Sequence, residues 1–151
     1  MPVCLPGLPR STRGDARLAT TRRNIALNGF KTDDNHLVTA DVFDYLRQST
    51  APFDLICLDP PKFAKHQADV EQAARGYKDI NLLAIKRLAP GGILFTFSCS
   101  QAIDRKLFRQ IAFAAAADSG RDVQVLHTLS QPPDHPINIS HLEGEYLKGL
   151  V

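Results

Sequence analysis

No stretch of this 151-residue chain approaches the roughly 18 consecutive apolar residues of a membrane span. Its first segment, MPVCLPGLPRSTRG, has no apolar core of signal-peptide length. Tryptophan is absent, methionine occurs once, and cysteine occurs three times, at 4, 57 and 99. An odd number of widely spaced cysteines fits neither a disulfide framework nor a zinc pattern, so a reducing cytoplasm is the expected setting. The histidines at 36, 66, 127, 135 and 141 show no metal-ligand spacing, and Asp134-His135-Pro136 reads as a rigid polar turn. A net charge of +2 is too small to announce nucleic-acid binding by charge alone. No internal repeat, low-complexity tract or second domain is visible. What is present, 44% apolar and 23% charged residues, suits a single globular domain able to bury one core.

Residues 1–14 hold three Pro and two Gly with no apolar period, and read as an irregular lead-in to one domain over 15–151. ARLATTRRNIALNG predicts a helix punctuated by Leu18, Ile25 and Leu27, with Gly29 in the left-handed position just past its end. HLVTA (36–40) reads as a short strand, and Asp41 as the cap of a brief helix with Val42, Phe43 and Leu46 on one face. FDLICLD (53–59) is a nearly continuous apolar run, as in a strand buried on both faces of a parallel sheet. Pro60-Pro61 ends it, because neither residue can donate to a ladder. A polar loop, KFAKHQADVEQAARG, then leads to a helix with Ile80, Leu83, Ala84 and Leu88 at helical spacing. Pro90-Gly91-Gly92 turns the chain into a second buried strand, ILFTFS (93–98). Leu107, Ile111 and Ala115 form the stripe of a helix over 104–118. VQVLHTL (123–129) alternates as a strand, and EYLKGLV (145–151) closes the chain as another. Strands alternating with helices predict an α/β fold with a largely parallel sheet and helices on both faces.

In open α/β sheets the ligand lies outside the carboxyl ends of the strands. Asp41, Asp59 and Ser98-Cys99-Ser100 each follow a predicted strand there. Asp59 opens Asp-Pro-Pro-Lys-Phe, whose prolines hold the backbone extended and stiff. It reads either as an Asp that ends a strand and caps a turn, or as a rigid carboxylate contacting a flipped base or another planar substrate. Cys99 reads either as a small packing residue or as a nucleophile. A nucleophile needs the thiolate, hence a nearby cation or helix N-terminus, and a helix around 102–118 begins just after it. Cys57 reads as core and Cys4 as without a role. Lys62, Lys65, Arg75 and Lys78 are candidates to line a phosphate path, although basic loop residues are usually solvated.

Several segments taken together resemble one family: Asp-Val-Phe at 41–43, LDPPKF at 58–63, RGYKDINLLAI at 75–85 and PGGILFTFSCS at 90–100, then SGRDVQ at 119–124, DHP at 134–136 and EGEYLKG at 143–149. In this combination and order the chain, from about residue 16 onward, is similar to the bacterial 23S ribosomal RNA cytosine-5 methyltransferases, the large-subunit enzymes of the I/O type. The resemblance implies a Rossmann-like class I methyltransferase sheet, S-adenosylmethionine as cofactor and 23S ribosomal RNA as partner. By the same analogy Asp41 holds the adenine amine, with Val42 and Phe43 beside the ring. Asp59 and Pro60 shape the methyl end of the site, Pro61, Lys62 and Phe63 the target base, and Cys99 is the nucleophile. Amino-methyltransferases share an Asp/Asn-Pro-Pro-aromatic motif, but here Lys62 takes the aromatic's place and Phe63 follows one residue later. That departure, with Cys99, favours carbon 5 of cytosine.

The family pattern continues upstream of these motifs, and this sequence holds no glycine-rich strand-to-helix turn to wrap the methionine end of the cofactor. The lead-in therefore reads as a truncated or frame-shifted start, with the family's first two strands lacking. Two absent strands between 36–40 and 54–58 would leave about 10 Å of sheet at ~4.8 Å per strand. Exposed edges of that kind invite self-association, so a homo-oligomer is an expected partner state. Two functions stay open at this point: a methyltransferase domain, or a non-catalytic scaffold that keeps the nucleophile without holding the cofactor.

Overall fold

The computed structural model describes residues 3–4, 12–30, 37–64, 66–141 and 144–151, with backbone alone at 3–4, 12–17 and 67. In chain order the elements are β1 (Val3–Cys4), α1 (Thr12–Leu27), α2 (Val42–Gln48), β2 (Phe53–Leu58), α3 (Val70–Arg87), β3 (Leu88–Ser98), α4 (Arg105–Ser119), β4 (Thr128–Leu129) and β5 (Lys148–Leu150). The strands form one sheet in the order β1-β2-β3-β5-β4. β1, β2 and β3 run parallel, whereas β5 is antiparallel to both β3 and β4. The sheet is thus mixed rather than largely parallel, because the last strand returns against β3 instead of crossing over it.

Local sequence accounts for most helix ends. Asp41 caps α2, its Oδ1 accepting from Phe43 N at 2.9 Å and Asp44 N at 3.2 Å. Gly29, with φ +75°, terminates α1 as expected, and Gly120, with φ +69°, does the same for α4. α3 begins at Val70, well inside the segment read as a loop. Ala73 in the added turns joins Tyr77, Ile80 and Ala84 on the buried face, together with the buried polar Asn81. Gly76 stands where a Cβ would meet the Phe63 ring at 3.3 Å, so the helix could not pass that ring with a larger residue unless one of them moved.

Other sequence expectations fail for want of a partner. Residues 37–40 form no strand, since a strand persists only with a ladder and none of the described residues supplies one; His36 lies outside the described residues. Within 123–129 only Thr128–Leu129 is strand, although His127 still exchanges backbone bonds with Val151. The lead-in is not irregular throughout. Val3 and Cys4 pair with Ile56 and Cys57, satisfying the outer edge of β2, and α1 already starts at Thr12. Pro90-Gly91-Gly92 is a bulge inside β3 rather than the turn before it, since Phe53 pairs with Leu88 and Leu55 with Ile93.

One sheet face carries the core. Leu46, Ile56, Leu58, Ile80 and Ala84 form a cluster joining α2, β2 and α3. Ala64, Ala73, Tyr77, Ile103, Phe108, Ile111 and Leu150 form a second one between α3, α4 and β5. The other face, with Leu55, Cys57, Phe95 and Phe97, is only half-buried. Two arginines close the corners. Arg87 donates to Leu46 O and Arg47 O at the end of α2, and Arg121 to Ile85 O, Leu88 O and Ala89 O at the α3–β3 junction. At Gly149 a Cβ would stand 2.6 Å from Phe97 Cδ1 and 3.3 Å from Thr96 O. Gly149→Ala is therefore expected to cost about 1–3 kcal/mol by overpacking, read as a lower midpoint in urea unfolding.

Candidate active site

β2 and β3 are parallel neighbours with Leu58 opposite Thr96, so Asp59 and the Ser98-Cys99-Ser100 turn leave the sheet at the same end. The two loops are fastened together. Ser100 Oγ donates to Ala64 O at 2.7 Å, and Ser100 N donates to Ser98 Oγ at 3.2 Å, all within the interior. Asp59 is exposed, Pro60 buried, and Pro61 and Lys62 exposed, so one proline anchors the loop while the carboxylate and the ammonium stay free to meet a ligand. Phe63 is committed elsewhere: its ring centroid lies 4.6 Å from that of Tyr77, within the second core cluster. It supports the loop from below.

Cys99 is half-buried and carries a free thiol. The helix expected to polarise it is displaced. α4 starts only at Arg105, and Asp104, its cap, accepts from Leu107 N at 2.7 Å, which brings a carboxylate to that helix end. Two groups that sequence reasoning passed over lie closer. Tyr77 is fully buried, and its hydroxyl lies near Ser98, Ser100 and the Phe63 backbone without a well-aligned hydrogen bond to any of them. Burial pushes its pKa up. Lys148, only 6% exposed, donates from Nζ to Ser100 O at 2.6 Å and Tyr146 O at 2.9 Å. Burial lowers its pKa to about 8, an effect that the neighbouring Cys99 opposes. Both stand in quoted motifs, RGYKDINLLAI and EGEYLKG; a lysine inside an apolar closing strand was the available signal.

A cleft of about 350 Å³ is lined by Lys148 together with Ile103, Asp104, Arg105 and Glu145 among others, and not by Tyr77, Asp59 or Cys99. Arg105 and Glu145 pair across it at 3.1 Å. Asp41, Val42 and Phe43 belong to a different cluster. Val42 and Phe43 pack with Leu46 against β2, and Arg47 lies 5.8 Å from the Phe43 ring centroid. No hydrogen bond or ion pair found among the described residues joins them to Asp59 or Cys99. The proposed phosphate path dissolves in part: Arg75 pairs with Glu71, Lys78 with Asp118 at 2.6 Å, and Lys65 lies outside the described residues.

No family model matches the chain. It is 51% identical over 137 residues to Ribosomal RNA large subunit methyltransferase I of Aeromonas hydrophila, covering 89% of this chain and 34% of that protein. The same protein of Shewanella amazonensis is 51% identical over 137 residues, and that of Pseudoalteromonas atlantica 46% over 140. Among solved structures, a protein described as a methyltransferase, complexed with SAH, superposes with a TM-score of 0.71 at 22% identity over 87% of this chain and 35% of that one. A protein described as a SAM-dependent methyltransferase from Streptococcus mutans gives 0.71 at 20% identity. The fold is therefore that of a methyltransferase sheet, and by sequence the chain is similar, over nearly all its length, to about a third of ribosomal RNA large subunit methyltransferase I.

Proposed function

We propose that the chain carries the chemical end of an S-adenosylmethionine-dependent methyltransferase acting on carbon 5 of a cytosine in 23S ribosomal RNA, with Cys99 as nucleophile. The observation that carries this reading is the fastening of the Asp59 loop to the Cys99 turn through Ser100 and Ala64, which sets a carboxylate and a thiol at adjacent strand ends. The names of the relatives support the RNA substrate, and the SAH complex of the structural neighbour supports the cofactor.

The residues assigned to the cofactor fit its adenine. Asp41 spends Oδ1 on the α2 N-terminus, leaving Oδ2 to accept from an exocyclic amine, with Phe43 half-buried beside it. When bound, S-adenosylmethionine supplies an electrophilic methyl group. Carbon 5 of cytosine is a poor nucleophile until something adds at carbon 6. The Cys99 thiolate forms that S–C6 bond and so turns carbon 5 into the nucleophilic end of an enamine. Once carbon 5 bears the methyl, loss of its proton to a base restores the C5–C6 double bond and expels Cys99. Asp59, held by Pro60, contacts the flipped base, while Pro61 and Lys62 line its approach.

The test is a 23S ribosomal RNA transcript containing 5-fluorocytidine, incubated with the chain and S-adenosylmethionine. Fluorine leaves no proton to eliminate, so the S–C6 bond persists as an adduct that survives denaturation and maps to Cys99. Cys99→Ser is expected to abolish it. A melt that rises with S-adenosylmethionine but yields no adduct would overturn the cytosine reading. A melt that does not move would overturn cofactor binding and leave the scaffold.

A further inference from the structure

β5 returns antiparallel to β3 with Lys148 opposite Ser98, and its side chain reaches along the strand to the carbonyl of Ser100. The ammonium thus spans the turn whose middle residue is Cys99. A buried lysine is costly unless its charge is answered, and among the described residues this one finds two carbonyl acceptors, Ser100 O and Tyr146 O. No carboxylate lies within ion-pair distance of it among the described residues; Glu145, the nearest in sequence, is paired with Arg105. The carbonyl it holds belongs to the residue that follows Cys99.

We infer that Lys148 is a positioning residue and the counter-cation of the Cys99 thiolate, holding the Ser98-Cys99-Ser100 turn through the Ser100 carbonyl while it stabilises the anion. The inference rests on Cys99 as nucleophile. The other ionisable groups around Lys148 and Cys99 are Tyr77 on α3, Asp104 and Arg105 at the start of α4, and Lys62 in the loop after β2. Arg105 and Lys62 are cations too, but both are exposed, whereas Lys148 is buried and screened least. Burial depresses the Lys148 pKa to about 8, and the nearby Cys99 opposes that depression.

The test is alkylation by iodoacetamide at pH 7, followed at Cys99 by peptide mass mapping, in the full chain and in Lys148→Met. The methionine keeps the unbranched stem and removes the charge. Alkylation of Cys99 is expected to slow on the order of tenfold, with Cys57 as unchanged internal reference. An unchanged Cys99 rate in a folded variant would overturn the inference. Should Lys148→Met not fold, the reciprocal experiment decides. In Cys99→Ala the Lys148 midpoint, followed by NMR of its side-chain carbon, is expected to fall below that of the unaltered chain; no movement would overturn the inference. Alkylation that responds to Lys148 together with no fluorocytidine adduct would sink the cytosine reading alone, so the two claims fail separately.

Discussion

Replacing Tyr77 with alanine is expected to cost about 3–5 kcal/mol of stability, a large share of the ~5–15 kcal/mol that holds a typical domain together. The side chain is fully buried, stacked obliquely on Phe63 at 4.6 Å and edge-on to Phe108 at 5.9 Å. It is where the Asp59 loop, α3 and α4 meet, so the cavity left behind would border three elements that cannot all close on it. Urea unfolding should show the loss as a lower midpoint at nearly constant slope. Tyr77→Phe separates the ring from its hydroxyl. Because the hydroxyl has no aligned partner, its removal is expected to be neutral or mildly stabilising, within about 1 kcal/mol. A phenylalanine variant as damaged as the alanine one would mean that the hydroxyl is bonded after all.

Stability is expected to rise between pH 8 and 10.5, on the order of 3 kcal/mol at most, through Lys148 alone. The folded-state pKa lies at about 8, below the ordinary 10.5, because burial disfavours the ammonium. Over that window the unfolded chain binds more protons than the folded one, so raising the pH favours folding; the gain is complete above 10.5 and lost as pH falls through about 8. Tyr77 opposes this at the alkaline end, since burial raises its pKa and the folded chain then holds the extra proton above pH 10. Comparing Lys148→Met with the unaltered chain isolates the lysine. The variant should lose the rise, and parallel pH profiles in the two proteins would refute the assignment.

The parts of this fold legible in the sequence are those whose causes are local. Asp41 capping α2 needs only a carboxylate two and three residues ahead of free N–H groups. The end of α1 at Gly29 needs only a residue that tolerates positive φ. The stripe along α4 and the apolar runs of β2 and β3 declare themselves by spacing, as does the pair of prolines that stops β2 beside Asp59. The start of α3 was hidden because VEQAARG is too polar to show a face until Phe63 and α4 are in place.

Most of the candidate site was nameable before the structure, since Asp59 and Cys99 follow strand-like runs and carry reactive chemistry. Their company was not. Ser100 meets Ala64 across 36 positions of chain and Lys148 meets Ser100 across 48. No pattern within a single element encodes such contacts. The sequence by itself determined that four helices exist, though not where α1 and α3 begin. It also determined the two central strands and the chemistry at their ends, because capping, proline stops and hydrophobic period act within a few residues. Only the tertiary structure decided that 37–40 forms no strand, that β5 returns antiparallel, and that a buried ammonium lies under the Cys99 turn. Those follow from which strand finds which ladder, and a ladder partner is a property of the folded chain as a whole.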